Sequence, residues 1–374
     1  MGRTHGEGIG KLVGVQALRG LAAMLVVYYH ATQMVHERLD KTAGIFESGQ
    51  AGVDIFFAIS GFVMVVTTHR HWGRAGQWLD FLMRRLIRIV PLYWAATLLK
   101  IVATLALPAL TSHPVLDPWH VTASFLFIPA WDADHRPLPL LPVGWTLNYE
   151  MLFYLLFATA LAARMRTILG VSLLLCGLSL LSLLHPGAAA GQLLPALEPV
   201  AMLVNPILLE FVMGMTIGWC AVRGIRLSPR LAWLALVCGL AALAASEWLN
   251  VVMGTFSRPF YWGVPGAMLL LATVSLEAQL RKFLAGLPAL LGDASYAIYL
   301  GHGFALPFVG VAMGKLGLIA PAWQPLTLLL SCVVSALAGV VVYRLFEQPL
   351  TTRFSGIWRR RRERLAGAVA EQAG

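Results

Sequence analysis

The sequence predicts an all-α fold, a polytopic membrane helix bundle of about ten transmembrane helices with both termini cytoplasmic. Three observations predict it. Only 12% of the 374 residues are charged, about half the share of a soluble domain, while 58% are hydrophobic. The hydrophobic residues gather into ten runs of roughly spanning length. The Lys and Arg residues fall mainly on alternate connections, as cytoplasmic loops require. A soluble enzyme, a disordered chain and a disulfide scaffold are thereby excluded.

The first run, about 12–35, carries Gln16, Arg19, Tyr28, Tyr29 and His30. It is too long for a cleaved signal, and no small-x-small site follows it. The second, about 52–68, holds Asp54 at its outer rim, where solvation is expected, and Ser60-Gly61, which permits close helix contact. The third, about 89–107, is approached through Arg84, Arg85 and Arg88. The proline-rich stretch 108–142 is the longest loop, and its patch Phe125-Leu126-Phe127-Ile128 is too short to cross, which makes it re-entrant or interfacial. The fourth run, about 143–163, opens with Gly144-Trp145-Thr146-Leu147-Asn148-Tyr149-Glu150. Runs at about 168–184, 200–222, 231–246 and 261–277 follow, with Glu210 inside the sixth and without an obvious local partner. The ninth, about 290–313, begins with a polar turn holding Asp293, Ser295, Tyr296, Tyr299 and His302. The tenth, about 326–346, ends at Arg344, Phe346, Glu347, Gln348 and Pro349. Arg344 and Glu347 are three apart and so can neutralise one another.

With the N-terminus inside, the outer side carries only Arg38, Lys41, Arg136, Arg258 and Lys315, and Arg19, Lys100 and Arg344 lie within runs. The other twenty basic residues, Arg3, Lys11, Arg70, Arg74 and the run Arg359-Arg360-Arg361-Arg362 among them, fall on the cytoplasmic side. The organisation is then a cytoplasmic tail at 1–11, a transmembrane domain at 12–350 and a basic cytoplasmic tail at 351–374, with flexible ends at 1–11 and 365–374. The net charge of +10 suits anionic membrane lipids rather than nucleic acid. The four cysteines form no CxxC pair, so neither a metal site nor a disulfide framework is indicated.

Polar groups inside a bilayer are expensive and therefore informative. Arg19 and His30 are eleven positions apart, about three turns and roughly 16 Å along one helical stripe. The competing reading is a snorkelling Arg and a satisfied buried His. Glu150 and His30 lie at similar depths from the outer boundary, and a carboxylate beside an imidazole orients it as a general base requires. Glu150 paired with another buried donor is the structural alternative. Arg85 and Arg88 share a helix face and can clamp a phosphate, although juxtamembrane arginine is also an ordinary topology signal.

Taken in order, Arg19 with His30, Phe56-Phe57-Ala58-Ile59-Ser60-Gly61-Phe62, Arg85 with Arg88, Gly144 to Glu150, Ser295-Tyr296-Ala297-Ile298-Tyr299-Leu300-Gly301-His302 and Phe346-Glu347-Gln348-Pro349 form a set. That set, across 12–350, resembles the acyltransferase-3 family of integral membrane acyltransferases. The opening Gln16-Ala17-Leu18-Arg19-Gly20 is similar to its bacterial exopolysaccharide-modifying branch. Thr146 stands where the family usually has Ser, and Ala58 where it usually has Val.

The resemblance implies an O-acyltransferase of the bacterial inner membrane. Its donor is an acyl-CoA, most simply acetyl-CoA, used as a co-substrate with no bound cofactor. Its acceptor is a hydroxyl of a lipid-linked or exported saccharide. The resemblance implies His30 and Glu150 as catalytic residues, with Arg19, Arg85 and Arg88 on the donor. Asn148, Tyr149, Tyr296 and His302 are candidate oxyanion or acceptor contacts. Ser60, Gly61, Trp145, Ser295 and Glu347 are structural motif positions. The partners expected are membrane lipids, with a second copy of the chain or the glycan-synthesis machinery. The runner-up is a transporter or flippase of a lipid-linked saccharide, which broken helices in two matching halves would favour. A structural partner of a glycan synthase and a membrane-bound O-acyltransferase with an Asn and His pair are further alternatives.

Overall fold

The computed structural model describes residues 12–69, 72–73, 76–106, 116–164, 166–184, 200, 202–248 and 257–373. Of the residues used for orientation, Arg3, Lys11, Arg70 and Arg74 lie outside these, as does the N-terminal tail 1–11. All regular structure among the described residues is helical. The first run becomes α1, Val13–Arg38, and the second α2, Ala51–Thr68. The third starts three turns earlier than expected, as α3, Gln77–Ala106. At 1.5 Å per residue α3 is roughly 45 Å long, half as long again as a hydrocarbon core, so it carries its arginines on continuous helix. A short α4, Pro118–Phe125, is capped by Asp117, whose side chain accepts from the His120 amide. Then come α5, Trp145–Ala162, α6, Thr167–Leu184, α7, Leu208–Val222, and α8, Pro229–Trp248.

The eighth run is broken. A wide π turn, Pro259–Gly263, leads into α9, Val264–Ser275, which bends by 92° into α10, Glu277–Leu284. The ninth run splits at Ala294 into α11, Leu287–Asp293, and α12, Ser295–Lys315. The tenth is α13, Gln324–Val342. A second π turn, Tyr343–Glu347, joins it to α14, Gln348–Ala373, so the basic C-terminal segment is helical through the end expected to be flexible. Five helices among the described residues are long and apolar enough to cross a membrane: Glu47–Thr68, Gln77–Ala106, Pro229–Trp248, Ser295–Lys315 and Pro321–Arg364. The bent pair α9–α10 would make a sixth. α1 and α5 hold the polar residues that the site needs, which dilutes their hydropathy.

α2 is the centre of the bundle, with 72% of its apolar window buried, against 22% for α8 and for α13. The outward faces of the peripheral helices carry large apolar side chains such as Leu98, Val102, Leu173, Val237, Phe308 and Leu337. That surface is stable only against lipid. α2 lies in contact with α1 on one side and α7 on the other. Small residues make the second contact possible, because a Cβ at Gly214 would collide with the Ala58 carbonyl and one at Gly61 with the Phe211 carbonyl. Backbones that close gain packing where lipid offers no hydrophobic drive. The contact also fixes the rotation of α2, and so aims Ser60 into the bundle. Gly214→Val is expected to destabilise the fold by ~3 kcal/mol, read as a lower thermal midpoint in detergent.

Candidate active site

α1 is unbroken from Val13 to Arg38, so Arg19 and His30 do lie on one stripe roughly 16 Å apart. They mark two levels of a site. The lower level is a cavity of about 120 Å³ between α1, α2, α3, α5 and α12. Its walls are mostly apolar and include Val53, Phe56, Phe57, Met64, Ile89 and Leu147. Arg19, Arg85, Arg88 and Glu150 line it with the hydroxyl groups of Ser60, Thr146, Tyr154, Tyr296 and Tyr299.

The charges there are held but not fully satisfied. Glu150 Oε1 accepts from Ser60 Oγ at 2.6 Å and from Tyr154 at 2.5 Å. Arg19 donates to Ser295 Oγ at 3.0 Å. Arg85 donates to Thr67 Oγ1 at 2.9 Å and sits 5.7 Å over the Phe81 ring. Both Arg85 and Arg19 act electrostatically on Glu150. The π turn brings Glu347 inward, where Arg88 and Arg19 act on it. The Nε groups of Arg19 and Arg85 and one Glu347 oxygen are buried without partners. Unpaired buried groups cost ~1–3 kcal/mol each, more when charged. With three guanidiniums against two carboxylates, an anionic ligand offsets that cost.

The upper level is built on two imidazoles. The rings of His30 and His302 stack with centroids 5.0 Å apart, and His302 is only 1% exposed. Tyr299 joins the levels, because it lines the cavity and its ring lies 5.9 Å from that of His302. The Tyr299 hydroxyl is fixed by Val143 O and Thr146 Oγ1, each at 3.0 Å. On the other side, His30 Nδ1 meets Gln33 Oε1 at 3.1 Å, and Gln33 Nε2 donates to Glu37 at 3.0 Å. Because Glu37 takes the amide hydrogen, the Gln33 oxygen faces His30. Nδ1 therefore carries the hydrogen and Nε2 keeps its lone pair, the tautomer a general base needs.

Several expectations change here. Glu150 does not orient His30; its hydrogen bonds run to Ser60 and Tyr154, because its rotation on α5 aims it at the arginines. Gln33 and Glu37 take that place. Asp54 is not solvated. It is fully buried and receives Arg258 Nε at 3.0 Å and Nη2 at 2.8 Å. Glu210 acts on this pair, and its oxygens make no hydrogen bond of good geometry. Glu347 turns toward Arg88 and Arg19 rather than pairing with Arg344. The Tyr149 hydroxyl donates to Met202 O and that of Tyr296 to Ile89 O at 2.8 Å, so neither proton is free for an oxyanion. Asn148 is 2% exposed, has no side-chain partner and lies outside the cavity lining. Trp145 packs edge-on against Tyr149, Gly61 serves packing as expected, and Ser60 and Ser295 hold charged groups as well. Tyr154 and Thr67 were not anticipated, although Tyr154 stands one turn from Glu150. Asp54→Ala would leave Arg258 buried beside Trp262. It is expected to cost ~3 kcal/mol, seen as a lower thermal midpoint while the folded fraction keeps its donor KM.

Residues 12–345 match the acyltransferase-3 family, which is described as an acyltransferase domain. The chain is an acyltransferase-3 protein. It is 38% identical over 348 residues to the exopolysaccharide production protein ExoZ of Rhizobium meliloti (strain 1021), covering 90% of this chain and all of that protein. It is 26% identical over 378 residues to the acyltransferase MdmB of Streptomyces mycarofaciens, covering 91% of each. No solved structure matches it. This acyltransferase-3 protein is thus an integral membrane O-acyltransferase, and the two-level site is where its family motifs converge.

Proposed function

We propose that this acyltransferase moves an acyl group, most simply acetyl, from cytoplasmic acyl-CoA to a hydroxyl of a lipid-linked or exported saccharide. The protein sits in a bacterial inner membrane with about ten spans and both termini in the cytoplasm. The single observation that carries the reading is the cavity, where three arginines and apolar walls lead through Tyr299 to the His302–His30 pair. The relationship to an exopolysaccharide production protein supports a saccharide acceptor.

Arg85, Arg88 and Arg19 bind the donor phosphates, and Glu150 with Glu347 keeps those arginines apart and aimed. The pantetheine arm occupies the apolar cavity and brings the thioester to the level of Tyr299. His30 Nε2 takes the acceptor hydroxyl proton as that oxygen attacks the thioester carbonyl carbon. The tetrahedral intermediate expels the CoA thiolate, which takes the proton back from His30. An ester and free CoA thiol result. Radiolabelled acetyl-CoA, incubated with purified protein and lipid-linked glycans, is expected to give a labelled glycolipid whose label hydroxylamine releases. Absence of transfer from the CoA thioester by folded protein would overturn the reading.

A further inference from the structure

Arg85 and Arg88 line the cavity, but the arginines of α3 do not stop there. One turn further along α3, Asp80 receives three groups at once. Arg84 reaches it at 2.7 Å, Arg362 of α14 at 2.9 Å, and Trp358 of α14 donates its indole N–H at 3.0 Å. One carboxylate therefore pins the C-terminal helix to the donor-binding helix. It also holds two guanidiniums side by side, with the Arg84 and Arg362 side chains 66% and 59% exposed. Trp358 and Arg362 mark the docked strip of α14. At 100° per residue, Arg359 and Arg361 flank that strip, and both are exposed. The patch keeps a surplus of positive charge after Asp80 is counted.

We propose that this patch is the subsite for the 3′-phosphate of the donor nucleotide; the assignment rests on the acyl-CoA reading above. Arg84 and Arg88 are one helical turn apart, roughly 6 Å along the axis. In CoA the diphosphate and the 3′-phosphate are separated by a single ribose, a comparable span. A diphosphate held at Arg85 and Arg88 thus presents the 3′-phosphate to Arg84, Arg362 and Arg359. Guanidiniums already fixed by a carboxylate lose little freedom on binding a second anion, and planar forks suit phosphate. The same chemistry would suit an anionic lipid headgroup. Continuity with the cavity arginines favours the nucleotide.

The test is binding of adenosine 3′,5′-bisphosphate against adenosine 5′-monophosphate to the full-length protein in zwitterionic nanodiscs. The bisphosphate is expected to bind at least ~10-fold more tightly. Arg359→Gln with Arg362→Gln should remove that preference, while Trp358→Phe, which keeps every charge, should retain most of it. Equal affinities in the unaltered protein would overturn the proposal, as would a preference that survives the double variant. Loss of the preference on adding anionic lipid would also overturn it, assigning the patch to headgroups. In the matching kinetic comparison, KM for acetyl-CoA should lie ~10-fold below that for acetyl-3′-dephospho-CoA. Failure to turn over either donor while the bisphosphate preference persists would count against the acyl-CoA reading and leave the phosphate subsite standing.

Discussion

His30→Ala should lower kcat for acyl transfer by ~10²–10⁴-fold, the usual contribution of a positioned general base. The loss should appear with donor KM nearly unchanged, because the arginine-lined cavity lies on the other side of Tyr299. The Ala side chain leaves an imidazole-sized space against His302 and Tyr29, whose rings lie 5.0 and 4.7 Å from that of His30. Added imidazole is therefore expected to restore part of the rate. Transfer within about 3-fold of the unaltered enzyme, at equal folded protein, would place the base elsewhere. Gln33→Leu tests the tautomer argument. It keeps His30 but frees the ring from its Gln33–Glu37 tether, so a smaller kcat loss of ~10-fold is expected, again without a KM change.

The second large effect lies at the donor end. Arg85→Gln with Arg88→Gln should raise KM for acyl-CoA by ~100-fold or more, as expected when two charge-assisted contacts of ~1.5–3 kcal/mol each are lost. Chemistry at saturating donor should survive, since neither residue reaches the imidazole pair. Two charges removed from 28 Lys and Arg leave most of the charge that orients the chain, so a defect in insertion is not expected to mimic this result. An unchanged KM would reduce both arginines to topology signals. A parallel collapse of kcat would mean that they position the thioester as well as bind it.

Much of this was legible in the sequence because composition and spacing act over short distances. Helical periodicity placed Arg19 and His30 on one stripe, and Arg85 with Arg88 on one face. The family motifs named most of the cavity. What periodicity cannot give is the rotation of one helix against another. Glu150 and His30 were matched by depth alone, yet the close approach of Gly61 and Gly214 sets α2 so that Ser60 claims Glu150. The Asp54–Arg258–Glu210 cluster joins three separate elements and leaves no local spacing to read. By contrast His30, Gln33 and Glu37 stand at i, i+3 and i+7 on one helix. Two helical turns hold all three, so local spacing alone carries that chain.

The wide turn at Tyr343–Glu347 has a bearing on how the gene tolerates change. The turn already takes up one residue more than ordinary winding holds; a further residue added there and wound as α-helix would swing everything downstream by roughly 100° about its axis. Glu347 would leave the cavity arginines, and Trp358 would part from Asp80, although no side chain had been altered. A one-codon insertion at this spot should therefore act at a distance, uncoupling the C-terminal rod from the chamber it flanks.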